Sequence, residues 1–167
     1  ELPPLTEEVV YCDMTPDQEE LYQKEKNKLR KSLITDNSDL DLQKMAFLTL
    51  QGLTHLRLLA NHPRFVNKEY EKSSGKFEQV MMYIETLIAE KHKVLIFSSF
   101  VRHLQLFADR FNETHRKYAW LTGATTPPDR EKEIEKFMKN DDINCFFISL
   151  KAGGVGLNLT EADCVFI

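Results

Sequence analysis

The segment ISLKAGGVG, residues 148–156, contains the residues whose types and spacing most clearly suit a binding site. An apolar run there gives way to Ser149, Lys151 and three glycines, so a hydroxyl, a cation and bare main chain follow one another closely. Small hydroxyls and backbone N–H groups are what an anion, and phosphate above all, requires. A purely structural turn explains the same glycines equally well. The segment therefore indicates either a turn or a nucleotide-binding loop.

Two common nucleotide-binding motifs do not fit the glycines of this chain. A G-x-G-x-x-G motif that starts at Gly154 would need its third glycine at Leu159. A P-loop that ends in SSGKF would need glycine at Tyr70 and serine or threonine at Phe77, and no strand precedes it. The sequence therefore predicts no phosphate loop of either kind.

The elements that must position this segment follow a regular pattern from residue 76. Helical segments alternate with four strand-like runs, KVLIFS, KYAWL, NCFFISL and DCVFI. The runs are continuously apolar, which is typical of parallel strands covered on both faces. We therefore predict an α/β fold with three layers and a central parallel sheet. The predicted buried stripes of the first two helices are Val80, Ile84, Leu87 and Ile88, and Val101, Leu104, Phe107 and Phe111.

A different pattern precedes this repeat. Residues 7–14, EEVVYCDM, have the composition of a strand, and TPDQ after them predicts a largely exposed helix with Thr15 as N-cap and Gln18 three residues later. After a loop at 35–41, leucines at helical spacing predict a second, better-buried helix that stops at NHP. We divide the chain into a helical lead-in, residues 1–72, and an α/β core, residues 73–167.

Composition restricts the class of protein. Of 167 residues, 42% are hydrophobic and 29% are charged, as in globular domains, and no apolar run approaches the roughly 20 residues of a membrane span. We expect an intracellular protein without a membrane partner. The net charge of −4 argues against bulk attraction to nucleic acid, so any DNA contact must be local. The cysteines match no zinc-binding spacing, so we expect small buried thiols and no metal site at Cys12, Cys145 and Cys164. For the histidines we expect surface or capping roles; they are His55, His62, His92, His103 and His115.

Three small-residue segments follow the predicted strands. They are SSF at 98–100, LTGATT at 121–126 and SLKAGG at 149–154. Parallel strands end at one edge of a sheet, and ligands gather beyond that edge. The three segments are therefore predicted to lie together and to suit a phosphate.

Long stretches of the chain resemble a known family. KVLIFSSF, YAWLTGATTPPDREKEIEKF and FFISLKAGGVGLNLTEADCVFI resemble motifs IV, IVa and V of the Snf-type branch of the superfamily-two helicases, which are DNA-dependent ATPases of the chromatin-remodelling kind. LPPLTEEVVYCDMTPDQEELY, LRLLANHPRFV and SSGK resemble the bridge into the second lobe of that family. The resemblance implies a RecA-like C-terminal lobe. It departs from the family at Ser99, where FSQF is usual, and the chain stops at Ile167, before motif VI with its arginines.

The resemblance also implies what the residues do. Ser149, Lys151, Ala152 and Gly153 would lie along DNA phosphates, and Gly156 and Asn158 would face the ATP cleft. Neutral hydrogen bonds to the same strand are implied for Ser98, Ser99, Thr122 and Thr125, while Arg130 either reaches phosphate or caps its own helix.

The family's activity needs parts that this chain lacks. The implied cofactors of the complete enzyme are ATP and Mg²⁺, and the implied partners are the double-stranded DNA backbone and a first RecA-like lobe that carries the Walker A lysine. Residues 1–167 hold no predicted catalytic residue and are expected to be inactive alone. Two other hypotheses stay open: a non-catalytic RecA-like interaction module, and a small self-contained α/β nucleotide or cofactor enzyme. Compact spacing between the motifs favours the bacterial cytoplasm over the nucleus.

Overall fold

A computed structural model describes residues 6–35, 42–154 and 156–167. These residues form two units, divided between Gln79 and Val80. The first contains helix α1 (Pro16–Thr35), helix α2 (Leu42–Asn61), a 3₁₀ helix (Pro63–Phe65) and the start of helix α3 (Gly75–Ala89). The loop predicted at 35–41 lies, beyond Thr35, outside the described residues. No described helix is both long enough and apolar enough to span a membrane.

The N-terminal segment before α1 differs from the prediction. Residues 6–15 contain no regular element, so the strand predicted at 7–14 is wrong. Val9 is 76% exposed and Tyr11 is 88% exposed. Strand composition describes side chains that suit a half-buried sheet surface, and these residues have no neighbouring strand within the described part of the chain to provide one.

Gln18 joins three elements of the first unit. Thr15 caps α1 as predicted, because its Oγ1 accepts a hydrogen bond from the Gln18 backbone N–H at 3.4 Å. The side chain of Gln18 is fully buried, and its Nε2 donates to the carbonyl oxygens of Leu59 at 2.9 Å and Ala60 at 3.1 Å. Its Oε1 accepts from the N–H of Gly75 at 3.1 Å. One amide thus ties the start of α1 to the end of α2 and the start of α3.

Replacing Gln18 with alanine is expected to lower the free energy of unfolding by about 2–4 kcal/mol. The change leaves carbonyl and N–H groups without partners, at about 1–3 kcal/mol for each buried group. Urea unfolding followed by circular dichroism measures the loss. Gln23→Ala, at an exposed position of α1, is the control and should stay within about 0.5 kcal/mol of the parent. Equal small losses for both variants would contradict the role of Gln18.

Helix α2 is better buried than α1, as predicted, but only toward its C-terminal end. It ends at Asn61, as the NHP motif predicts, and Pro63 opens the 3₁₀ helix. His62 caps that helix, since its Nδ1 accepts from the Arg64 N–H at 3.2 Å. Only Leu56 and Leu59 are buried on α2, while the described leucines nearer its start, such as Leu53, are exposed.

The second unit is built on a four-stranded parallel sheet. Its spatial order is β2-β3-β1-β4, and helices α4, α5 and α6 connect the strands. The predicted parallel α/β fold is confirmed. The strands are β1 (Val94–Ser98), β2 (Ala119–Leu121), β3 (Cys145–Ser149) and β4 (Cys164–Phe166), and the helices are α4 (Val101–Glu113), α5 (Pro127–Lys139) and α6 (Leu150–Gly153).

Helices cover both faces of the sheet around β3, which is buried along its whole length. On one face Phe146 packs against Phe137 of α5, with ring centroids 5.3 Å apart. On the other face Phe147 lies 6.2 Å from the ring of Phe107 and 5.2 Å from that of Phe111, both on α4. Alternate residues of one strand therefore fill two cores, which gives the predicted three layers.

Several burial predictions hold in part. On α3 Ile84 is fully buried, while Val80, Leu87 and Ile88 are half-buried. On α4 Leu104, Phe107 and Phe111 are buried, but Val101 is exposed in the first turn.

The edge strand β4 is less buried than the sequence predicts. Val165 is 55% exposed, so helices do not cover both faces of that strand. Of the cysteines only Cys145 is buried, whereas Cys12 and Cys164 are half-buried.

Strand β2 lies at one end of the strand order. Its central residue, Trp120, directs its backbone N–H to the Glu133 carboxylate of α5, with the nitrogen 2.7 Å from Oε2. A side chain of the same unit therefore satisfies a main-chain donor that a further strand would otherwise pair.

Candidate functional site

The three small-residue segments leave the sheet at the same edge. Ser98 and Ser149, the last residues of β1 and β3, are register partners. Leu121, the last residue of β2, pairs with Ile148, so Thr122 emerges beside Ser149. The carboxyl edge of the sheet thus brings together SSF, LTGATT and SLKAGG, as the sequence predicts.

The segment after β1 divides its two serines between different surroundings. The Oγ of Ser98 accepts a hydrogen bond from the N–H of Phe100 at 3.1 Å and so forms the turn into α4. Phe100, the N-cap residue of α4, makes no side-chain cap hydrogen bond. Ser99 is exposed. Of the two predicted contact residues, Ser99 is therefore the one that faces solvent.

The segment after β2 is fixed by its own threonines. The N–H of Thr122 donates to Oγ1 of Thr125 at 3.0 Å, and the N–H of Thr125 donates to the carbonyl oxygen of Thr122 at 3.0 Å. Thr122 is buried and Thr125 is half-buried. Both residues thus stabilise the turn. A ligand would have to approach the turn closely to contact either hydroxyl.

The N-terminus of α5 is occupied by its own side chains. Thr126 caps the helix, because its Oγ1 accepts from the Asp129 N–H at 3.4 Å. The same hydroxyl donates to Oδ2 of Asp129 at 2.7 Å. This hydrogen bond, and then the Lys132 ammonium, hold the pKa of the Asp129 carboxyl below its usual value. A carboxylate of the chain therefore lies where the helix would otherwise attract an external anion.

A helical turn follows β3 directly, where the sequence predicted an open glycine loop. Helix α6 begins at Leu150, with Ser149 as its N-cap residue. Ser149 is 5% exposed, and its Oγ has no hydrogen-bond partner in the described part of the chain. A buried hydroxyl without a partner costs about 1–3 kcal/mol, so a ligand oxygen that reached Ser149 Oγ would recover that cost. Lys151, two residues on, is exposed.

Two glycines of this segment have different structural reasons. A Cβ at Gly153 would lie 2.5 Å from Cε1 of Phe97 and 3.4 Å from Cγ2 of Ile148, so glycine allows α6 to pack closely on the ends of β1 and β3. Gly156 has a φ of +53°, a left-handed conformation, and a Cβ there would meet no atom within 4 Å. Packing therefore explains Gly153, and main-chain conformation in an open position explains Gly156.

Arg130 connects α5 to α6. Its Nη1 donates to the carbonyl oxygen of Ala152 at 2.9 Å, and Ala152 is buried. The sequence suggested either phosphate contact or helix capping for this arginine. It did not predict this hydrogen bond, because a backbone acceptor 22 residues away has no characteristic residue type. A guanidinium on α5 thus holds the main chain of the segment that follows β3.

The composition of the three segments limits their chemistry. They present hydroxyls, main-chain N–H groups and the exposed ammonium of Lys151, and none contains Asp or Glu. Such groups bind a polyanion. They do not provide the carboxylate ligands that Mg²⁺ prefers in proteins, nor a carboxylate for general acid–base catalysis.

Residues 75–167 match the family described as helicase conserved C-terminal domain. The chain is 31% identical over 181 residues to the transcription regulatory protein SNF2 of Saccharomyces cerevisiae, which covers 100% of this chain and 10% of that protein. The chain spans between 6% and 15% of the length of seven curated relatives that it matches.

Two solved structures share the fold. The SWI2/SNF2 ATPase C-terminal domain of Sulfolobus solfataricus has a TM-score of 0.80 and 31% identity, and the match covers 93% of this chain and 68% of that one. The Sulfolobus solfataricus SWI2/SNF2 ATPase core in complex with dsDNA has a TM-score of 0.81 and 27% identity, with 93% of this chain and 33% of that one covered.

Proposed function

Because the chain belongs to the Snf-type branch of the helicase C-terminal domains, we propose that it is the second motor lobe of an ATP-dependent translocase or remodeller of double-stranded DNA. In this proposal the carboxyl edge of the sheet grips the DNA phosphate backbone, and a first RecA-like lobe completes the ATP site. The observation that carries the proposal is the register of β3 with its two neighbours, Ser149 with Ser98 and Ile148 with Leu121, which gathers three hydroxyl-rich segments and Lys151 at one edge.

The DNA contacts would run along the backbone of one strand. Lys151 supplies the positive charge, Ser99 an exposed hydroxyl, and Ser149 a hydroxyl that becomes available when it rotates. Contacts of this kind position a protein on DNA without reading its sequence. Since few cations take part, the salt dependence of this lobe's contribution is shallow. The similar Sulfolobus core, which is in complex with dsDNA, supports DNA as the polyanion.

The nucleotide contacts would lie at Gly156 and Asn158. The open, left-handed position of Gly156 supports this assignment, because a ligand can approach its main chain without meeting a side chain. Asn158 is exposed and carries both a donor and an acceptor. Only a few residues separate Lys151 from Gly156, so closure on ATP would shift the DNA contacts through one short segment.

Mg²⁺ and the catalytic charges would come from outside these segments. Phosphoryl transfer depends on Mg²⁺, a phosphate-binding lysine and, in many enzymes, an arginine finger to neutralise charge. The three segments contain no carboxylate, so we assign no Mg²⁺ ligand to them. Their part is to bind and orient the two polyanions.

The complete protein tests the function. Its ATP hydrolysis should rise several-fold on addition of linear double-stranded DNA, and equally for two duplexes of unrelated sequence. Stimulation by only one sequence would contradict backbone recognition. A complete protein that binds its partners but hydrolyses no ATP with or without DNA would favour the non-catalytic interaction module.

Residues 1–167 produced alone are expected to hydrolyse no ATP above the buffer rate, with or without DNA. The physical reason is that phosphoryl transfer requires groups that this proposal assigns to the rest of the protein. Phosphate release at several concentrations of the purified chain measures this. A rate that is proportional to chain concentration and survives further purification would contradict the two-lobed site.

We retain two further predictions as part of this proposal. The core of the lobe begins at residue 73, close to the start of the family match at residue 75. The bacterial cytoplasm is the compartment that the compact motif spacing favours.

A further inference from the structure

Three side chains of metal-ligand type converge at the edge of the sheet opposite the candidate site. His92 lies two residues before β1, and Asp163 and Cys164 stand at the entrance to β4. A ring nitrogen of His92, a carboxylate oxygen of Asp163 and the Sγ of Cys164 all lie within 4.8 Å of one another. His92 Nδ1 and Asp163 Oδ2 are 2.6 Å apart. The pairing of β1 with β4 brings these residues together although 71 positions separate His92 from Asp163.

The main chain holds the cluster in place. The carbonyl oxygen of Lys93 accepts from the N–H of Asp163 at 3.1 Å and from that of Cys164 at 3.3 Å. The N–H of Lys93 in turn donates to Oδ1 of Asp163 at 3.1 Å. One oxygen of the Asp163 carboxylate is therefore anchored, and the other faces His92.

A second carboxylate lies behind the imidazole. His92 Nε2 is 3.6 Å from Oε2 of Glu90, on the side of the ring away from Asp163. A histidine that binds a metal through one nitrogen commonly gives its other N–H to a carboxylate, which fixes the tautomer and the ring orientation. At 3.6 Å the Glu90 carboxylate lies beyond hydrogen-bond distance, so it would have to approach the ring by a few tenths of an ångström to do this for His92.

We propose that His92, Asp163 and Cys164 bind one Zn²⁺ ion, with water as the fourth ligand. Nitrogen, oxygen and sulfur together are a ligand set that zinc accepts. Tetrahedral zinc with bonds of about 2.0–2.3 Å separates its ligand atoms by about 3.3–3.8 Å. That spacing lies between the 2.6 Å of the His92–Asp163 pair and the 4.8 Å limit of the whole cluster. The ion would therefore enter by opening the direct hydrogen bond and drawing in the thiol.

The chemistry of Cys164 argues against a reactive thiol at this place. Burial, and then the charge of the neighbouring Asp163, raise the pKa of the Cys164 thiol. The protonated form is a poor nucleophile, so modification at neutral pH is slow. A bound cation reverses this balance, because it favours the thiolate directly.

The consequence of zinc binding would be structural. The ion would join the approach to β1 with the first residue of β4, a strand that forms only three register pairs with its neighbour. It would lie at the opposite edge from the proposed DNA contacts. Loss of zinc should therefore loosen β4 while leaving the phosphate-binding edge in place.

The test uses the complete protein, stripped of metal with a chelator and dialysed against Zn²⁺ in the presence of excess Mg²⁺. We expect His92→Ala and Cys164→Ser each to weaken the binding of one ion per chain at least tenfold. With Co²⁺ as the probe, a thiolate charge-transfer band should appear in the parent and vanish in Cys164→Ser. Cys12→Ser, which changes another half-buried cysteine, is the matched control and should keep both signals.

Two results would overturn the proposal. The first is that the double variant His92→Ala/Cys164→Ser binds as much zinc as the parent. The second is that Cys164→Ser alone binds as much zinc as the parent. In either case the cluster is only a surface ion pair. Asp163→Asn would not separate the two outcomes, because the Asp163 carboxylate also accepts the Lys93 N–H and its loss would disturb the strand itself.

Discussion

Lys151→Ala in the complete protein is expected to raise the DNA concentration for half-maximal ATPase stimulation by about tenfold or more, while ATP hydrolysis without DNA changes little. A hydrogen bond to a charged group contributes about 1.5–3 kcal/mol, and every 1.4 kcal/mol is about tenfold in affinity. Removal of one phosphate contact should also reduce the slope of log affinity against log salt by about one. ATPase titrations with DNA at several salt concentrations measure both effects.

The control for this experiment is another exposed lysine of the same unit. Lys117 lies before β2, at the opposite edge of the sheet, and is paired with Asp142 at 3.1 Å. Lys117→Ala should leave both the stimulation and the salt slope unchanged. If Lys151→Ala reduced stimulated and basal hydrolysis equally, Lys151 would belong to the nucleotide site rather than to the DNA contacts.

Arg130→Ala is expected to weaken DNA stimulation to a similar extent, about tenfold, but through a different route. The variant removes the hydrogen bond to the Ala152 carbonyl and so releases the turn that presents Lys151. An arginine that acts by holding this turn leaves the number of phosphate contacts unchanged. The salt slope should therefore match that of the parent, in contrast to Lys151→Ala.

The salt slope also decides between the two roles of Arg130. A slope reduced by about one in Arg130→Ala would mean that the guanidinium contacts phosphate directly, as one of the sequence hypotheses holds. Lys132→Ala provides a neighbouring control on the same helix, because its ammonium is paired with Asp129 at 3.2 Å. That variant should change neither the stimulation nor the slope.

The sequence predicted the α/β core well because its signals were local and strong. Continuous apolar runs such as CFFIS predicted the strands, and the helical segments between the runs predicted the helices. The gathering of three segments at one edge followed from parallel strands alone. Residue type and spacing were sufficient wherever a neighbour in the chain determined the structure.

The sequence failed where a distant partner determined the structure. EEVVYCDM has strand composition, yet a strand also needs a neighbour, which composition does not encode. Gln18 fitted a capping box, but its side-chain amide instead forms hydrogen bonds with the end of α2 and with Gly75. Arg130 and the His92–Asp163–Cys164 cluster depend likewise on chain separations that no local pattern records.

The hydrogen bond from Trp120 to Glu133 affects whether the edge strand β2 can pair with a second copy of the chain. An unpaired strand at the border of a sheet is a template for amyloid-like growth and domain swapping. Here the Glu133 carboxylate, which also pairs with Lys136 at 3.3 Å, occupies the outward N–H in the middle of a three-residue strand, so an approaching strand finds no free donor at that position. A second strand that paired at that border would therefore first have to displace the Glu133 carboxylate from the Trp120 N–H.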